Sequence, residues 1–164
     1  MLIILNAQYS IFKNIINDVP TYMAVRIRKA RLKDTDSIVS LSEELGYLTS
    51  REEIMNKLRR ISADSKEEVY VAEYKTVVGW MHISLTEPLE SNSFVEIRGI
   101  VVNRKFRGKG TGTQLIQQAE QWAKSKGCSR IRIRTNIARI EAREYYRKLG
   151  FISKKTQEVF EKVI

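Results

Sequence analysis

The stretch VVNRKFRGKGTG, Val101 to Gly112, limits what this chain can fold into more than any other. Gly108, Gly110 and Gly112 stand at alternate positions, after the apolar run Ile100, Val101, Val102 and before the helical sequence TQLIQQAEQWAKS. A strand that turns through bare backbone into a helix N-terminus makes a site for an anion. The first N–H groups of a helix have no intrahelical partner, and the dipole places about half a positive charge beside them. Glycine removes the Cβ atoms that would hold an anion away from those amides. Arg107 and Lys109 add full charges at the rim.

Two common phosphate loops do not match. A Walker A loop requires G-x-x-x-x-G-K-[ST], which GKGTGTQL does not supply. A dinucleotide fingerprint requires G-x-G-x-x-G and an acidic residue ending the next strand. Here the glycines run G-x-G-x-G, and that strand leads to Thr135 and Asn136.

The rest of the composition narrows the field. A chain of 164 residues, 43% apolar, fits one domain. Its 29 Lys and Arg against 19 Asp and Glu give a net charge of +10, which favours anions: nucleic acid, an anionic membrane or a polyphosphate cofactor. One cysteine, Cys128, and one histidine, His82, exclude a disulfide framework and a multi-cysteine or histidine-based metal site. No stretch approaches the roughly 20 apolar residues of a membrane span. The start MLIILNAQYS has no basic n-region and no small-residue cleavage site, so a cytoplasmic protein is expected. Residues 1–22 read as an N-terminal extension whose Ile11, Phe12, Ile15, Ile16 and Val19 share a helical face, followed by a single domain over 23–164.

The pattern predicts a strand from Val25 to Ala30. A helix in LKDTDSIVSLSEELGY follows, with Asp34 as N-cap and Gly46 as stop, and then a helix in REEIMNKLRRIS behind the capping box Ser50/Glu53. EVYVAEY and TVVGWMHISL form a hairpin with a tight turn at Lys75. In FVEIRGIVV, Phe94 to Val102, the period of two fails at Gly99, which predicts a bulge or a close backbone approach. Leu115, Ile116, Ala119, Trp122 and Ala123 share a helix face ended by Gly127. SRIRIRTN alternates Ile131 and Ile133 with Arg130, Arg132 and Arg134. A last helix carries Ala142, Tyr145, Tyr146 and Leu149 up to Gly150, and FISKK and QEVFEKVI read as closing strands. Hairpins beside a strand–helix–strand unit predict an α/β fold with one mixed sheet and helices on both faces.

Arg107-Gly108-Lys109-Gly110-Thr111-Gly112 matches the [Q/R]-x-x-G-x-[G/A] signature of the GNAT superfamily of N-acetyltransferases. The strand EIRGIVV before it, and NIARIEAREYYRKLGF after the next strand, resemble the family's neighbouring motifs, so the resemblance runs from about Arg26 to Phe151. It implies a three-layer α/β/α fold whose mostly antiparallel sheet has six to seven strands and splays at the cofactor site. It also implies acetyl-coenzyme A as cosubstrate. The main-chain amides of Arg107, Gly108, Lys109, Gly110, Thr111, Gly112 and Thr113 would hold the pyrophosphate. The edge of Ile100, Val101 and Val102 would pair with the pantetheine arm like an added strand. Asn136 would contact the arm from the opposite side. Tyr146 takes the place of the family's general acid, near the departing thiolate, and Glu96, eleven residues before Arg107, that of a strand base.

The residues alone leave alternatives open. Tyr146, spaced with Tyr145 and Leu149, also reads as a packing aromatic. Glu96 equally pairs with Arg98 or faces solvent, and His82 is a structural strand histidine or a weaker base. Cys128 follows Gly127 at the helix-to-strand turn, away from the cofactor wedge, so direct attack in a ternary complex is expected. The resemblance locates acceptor choice in the first two helices and the ELGYLTSREE and TEPLESNS loops; Tyr47 and Trp80 read equally as lining that pocket or as core residues. Asn136, Arg139, Ala142, Tyr145 and Tyr146 also resemble the pattern of small-amine acetyltransferases, including those acting on aminoalkylphosphonates and aminoglycosides. The expected acceptor is the primary amine of a small molecule, with no metal, no nucleic acid and no membrane partner; a homodimer is compatible. The alternatives are a protein N-terminal or lysine acetyltransferase, a non-catalytic acetyl-coenzyme A sensor, and a nucleic-acid binder using the arginine stripe.

Overall fold

The computed structural model describes residues 24–44 and 46–164. The extension expected over residues 1–22 lies outside the described residues. The elements are β1 (Arg26–Lys29), α1 (Thr35–Glu43), α2 (Arg51–Ser62), β2 (Glu67–Tyr74), β3 (Thr76–Thr86), β4 (Phe94–Val102), α3 (Thr111–Ser125), β5 (Ile131–Ile133) and α4 (Ile140–Lys148). The strands form one sheet in the order β1-β2-β3-β4-β5, and the first four pair antiparallel. The β4–α3–β5 connection is the crossover that joins parallel neighbours, so the sheet is mixed, as expected.

Five strands stand among the described residues where six to seven were expected. FISKK and QEVFEKVI form no regular element, and Val159, Phe160 and Val163 stay exposed. Apolar residues in a short segment do not by themselves supply a neighbouring strand, and a strand is stable only when paired. The hairpin turns at Lys75, whose φ of 59° is left-handed. The capping box forms as expected: Ser50 Oγ accepts from the Glu53 amide at 3.1 Å and Glu53 Oε2 from the Ser50 amide at 3.0 Å.

The chain divides into two compact units, one up to Arg132 and one from Ile133 to Ile164. In the first, Ile38 of α1 and Leu58 and Ile61 of α2 bury against Val69 and Val71, with Trp80 partly buried at the edge. On the opposite face α3 packs on β4 and β3 through Leu115, Ile116, Ala119, Trp122 and Ala123. Met81, Ile83, Val95 and Ile97 are buried in the sheet itself. Each fully buried large aliphatic side chain contributes about 1.5–3 kcal/mol, so these two layers hold the sheet firmly. Cys128, 7% exposed, closes the end of α3, its amide bonded to the Ala123 carbonyl at 2.9 Å. Among the described residues no helix is long and apolar enough to cross a membrane, and no three His, Cys, Asp or Glu side chains group as metal ligands.

Asp34 sits at the N-cap position of α1 but makes no cap bond to the helix. Its carboxylate instead receives the Arg28 guanidinium at 2.7 and 2.9 Å and the Arg31 amide at 2.8 Å. Burial works to raise that carboxyl, and the two donors together bring it below its ordinary value. Arg28 also bonds Glu73 at 2.8 and 3.1 Å and is 9% exposed. Arg28→Ala leaves the Asp34 charge buried without a cation, so unfolding free energy in urea should fall by about 3 kcal/mol or more. A loss of under about 1 kcal/mol would show that the pair adds nothing net.

Candidate active site

The irregularity expected in β4 is a bulge. His82 and Ile83 are consecutive on β3 but pair with Gly99 and Ile97, so Arg98 is the extra residue. Gly99 is bare because Trp80 lies over it: a Cβ there would meet Trp80 Cη2 and Cζ3 at 3.0 Å. Arg98 is exposed and donates from Nε to Ser84 Oγ at 2.7 Å. Glu96 pairs in register with Ser84 and is 8% exposed, so it is buried and does not face solvent. By strand alternation, Glu96, Ser84, His82 and Trp80 share the face covered by α1 and α2.

His82 has a partner that the sequence did not reveal. Its Nε2 lies 2.8 Å from Glu67 Oε2, and the two Glu67 oxygens take the Arg60 guanidinium at 2.9 and 3.1 Å. Arg60, aided by His82, brings the Glu67 carboxyl down to about 2 against the effect of burial. Burial also pushes the His82 imidazole below its ordinary value, with Glu67 opposing. A neutral imidazole beside an ionised carboxylate donates Nε2–H and keeps Nδ1 as an acceptor.

Beyond β4, a 3₁₀ turn over Arg104–Phe106 leads into the glycine loop. The end of α1 anchors it, since Glu44 accepts from Asn103 Nδ2 at 2.6 Å and from the Arg104 amide at 3.4 Å. Arg107 Nε donates back to the Val102 carbonyl at 2.9 Å, and Lys109 Nζ stands 5.8 Å from the centre of the Phe106 ring. Gly108 and Gly110 have φ of 71° and 81°, where a side chain costs about 1–2 kcal/mol. Helix α3 opens at Thr111 with no side-chain cap and no acid in its first turn, whereas α1 has Asp36, α2 Glu52 and Glu53, and α4 Glu141.

These residues fit a diphosphate. Thr111 Oγ1 is buried with no hydrogen-bond partner among the described residues, and the space where a Gly108 side chain would stand is open. Amides at the mouth of α3, this hydroxyl and two cations form a donor set without a competing acid. The Val95 amide donates to the Arg130 carbonyl at 3.0 Å, at the start of β4. Because β5 is three residues long, the edge at Ile100, Val101 and Val102 continues past its ladder.

Two arginines of the stripe, Arg130 and Arg132, are engaged within the first unit. Arg130 donates to the Asn92 carbonyl, and the Arg132 guanidinium lies 3.8 Å from the Phe94 ring centre. Tyr47, 61% exposed, stands on the loop between α1 and α2. The second unit holds the other two candidates. Asn136 Oδ1 accepts from the Ala138 amide at 2.9 Å. The Tyr146 ring packs on Tyr145 at 5.5 Å and edge-on to Phe151 at 5.8 Å. Burial pushes its phenol above the ordinary value, Tyr145 adding and Arg139 opposing, so it keeps its proton at neutral pH. Thus Glu96, the β4 edge and the glycine loop fall in one unit, Asn136 and Tyr146 in the other.

Residues 34–151 match the model of the Acetyltransferase (GNAT) family, and the chain belongs to that family. It is 34% identical over 62 residues to aminoglycoside N(6')-acetyltransferase type 1 of Serratia marcescens, covering 38% of this chain and 42% of that enzyme. It is 28% identical over 131 residues to aminoalkylphosphonate N-acetyltransferase of Salmonella typhimurium, covering 76% and 83%. The matched stretch thus spans less than half of the first relative and most of the second. Among solved structures, AAC(6')-Iy bound to CoA-S-monomethyl-acetylneamine shares the fold at a TM-score of 0.76 and 19% identity, over 87% of this chain and all of that one.

Proposed function

We propose that this chain moves the acetyl group of acetyl-coenzyme A to the primary amine of a small molecule, by direct attack in a ternary complex. The observation that carries this reading is the uncapped, acid-free first turn of α3 directly after a bulged strand. In that reading the amides from Arg107 to Thr113 grip the pyrophosphate, with Arg107 and Lys109 at its rim. The edge of Ile100, Val101 and Val102 aligns the pantetheine arm, and Asn136 is a second contact for it. When bound, acetyl-coenzyme A supplies an activated thioester carbonyl.

The chain supplies the proton transfers. An alkyl ammonium with a pKa near 10.4 is neutral in only about one molecule in a few thousand at pH 7, so a base is required. Glu96, buried beside the bulge, takes that proton, and Tyr146 donates one to the departing thiolate. The two relatives named for aminoglycosides and aminoalkylphosphonates act on small amines, which supports an acceptor of that kind. A net charge of +10 works against polybasic protein tails.

Thermal unfolding with acetyl-coenzyme A or NAD tests the cofactor assignment, and release of free thiol tests transfer. The amine panel should include 2-aminoethylphosphonate, kanamycin and a lysine peptide. Acetyl-coenzyme A at a hundredfold excess over its dissociation constant should add about 2.7 kcal/mol, and NAD nothing. Stabilisation without thiol release from any amine would favour a sensor instead.

A further inference from the structure

We propose that His82 is the exit for the proton that Glu96 removes from the acceptor amine, with Glu67 and Arg60 as the positioning residues that aim its ring. This rests on the transfer reading above and extends it. A carboxylate as buried as Glu96 must be emptied of its proton before each new turnover. The sheet register offers one path. Glu96 pairs with Ser84 and His82 with Gly99, so His82 lies diagonally across from Glu96 on the same face. Diagonal neighbours in a sheet are about 7–8 Å apart at the backbone, a gap that one water between side chains can bridge. Gly99, the direct partner of His82, has no side chain, and the inserted Arg98 crosses to this face only to bond Ser84 Oγ at 2.7 Å, so the water path runs beside its guanidinium. The His82 side chain is 23% exposed and touches solvent, as the 8%-exposed Glu96 barely does.

The remaining groups around the ring suit a relay. Nε2 is fixed on Glu67, which Arg60 clamps through both oxygens, so Nδ1 is the atom that receives. The proton passes from the ammonium nitrogen to a Glu96 oxygen, then through water to Nδ1, and from the imidazolium to bulk solvent, which restores the starting state. Glu67 on β2 stabilises the imidazolium. Arg60 on α2 and Arg98 on β4 oppose it, and burial keeps the resting ring neutral.

The test compares the wild type with His82→Gln, whose amide keeps a donor for Glu67 but carries no proton. Thiol release is measured with saturating acetyl-coenzyme A in weak buffer, with 2-aminoethylphosphonate and kanamycin as acceptors in separate arms. The expected result is a kcat about tenfold lower with KM unchanged, restored by adding imidazole to the buffer. Glu67→Gln should move the acid limb of the kcat profile to lower pH, because the imidazolium loses its anion. An unchanged kcat in His82→Gln, or a loss that imidazole does not restore, overturns the relay and leaves the transfer reading standing. A wild type that releases no thiol with any amine of the panel sinks both. Independently of any variant, His82 is the sole histidine, so its ring nitrogen signals are unambiguous. They should show Nε2 protonated and Nδ1 bare at neutral pH; the reverse tautomer overturns the relay.

Discussion

Gly112→Asp should abolish acetyl-coenzyme A binding while leaving the fold as stable as before, or slightly more so. The two effects have opposite signs because they use the same charge differently. In the protein alone, an acid in the first turn of α3 meets the positive end of the helix, worth about 0.3–1 kcal/mol, and replaces the poor helix former glycine. Nature placed such acids at the other helices of the described chain and omitted one here. In the complex, the same carboxylate stands against a diphosphate. Two like charges about 4 Å apart at an effective dielectric of 20 repel by about 4 kcal/mol. The dissociation constant should therefore rise at least about a hundredfold. Calorimetric titration with acetyl-coenzyme A reads the loss, and thermal unfolding of the free protein reads the gain. Undiminished binding would mean that the diphosphate lies elsewhere and would remove the basis for the whole site.

Tyr146→Phe should lower kcat at least about tenfold and leave the affinity for acetyl-coenzyme A nearly intact. The substitution removes one oxygen and keeps the ring, so the packing on Tyr145 and Phe151 survives. What disappears is the proton offered to the leaving sulfur; general acids are worth about 10² to 10⁴ where proton transfer limits the rate. Because burial raises the wild-type phenol, it stays protonated across neutral pH, and its ionisation should produce no fall in rate below about pH 10. An unchanged kcat would leave Tyr146 as a packing residue only.

The parts of this fold that were legible in the sequence are those written in local signals. The break of period at Gly99 foretold the bulge, though not that Arg98 is the inserted residue or that Trp80 is what lies over the glycine. Ser50 and Glu53 declared their capping box because both partners sit within one turn. The glycine loop was legible because φ values such as those of Gly108 and Gly110 have few other residues to serve them. Features set by register or by distant partners were hidden. His82, Glu67 and Arg60 come from β3, β2 and α2, and nothing in their spacing states that they meet. Asp34 carried a cap signal, yet Arg28 from β1 claimed its carboxylate. The tail after Gly150 has the apolar residues of a strand, yet it forms no ladder, and apolar content alone does not state that a partner will be found.

The seat of Cys128 has a practical consequence for everything measured on this molecule. The sole sulfhydryl of the chain is sealed under the last turn of a packed helix, out of reach of colorimetric disulfide reagents in the folded state. A chromogenic readout of liberated coenzyme therefore starts from a flat blank, and each equivalent of colour counts one acyl group delivered.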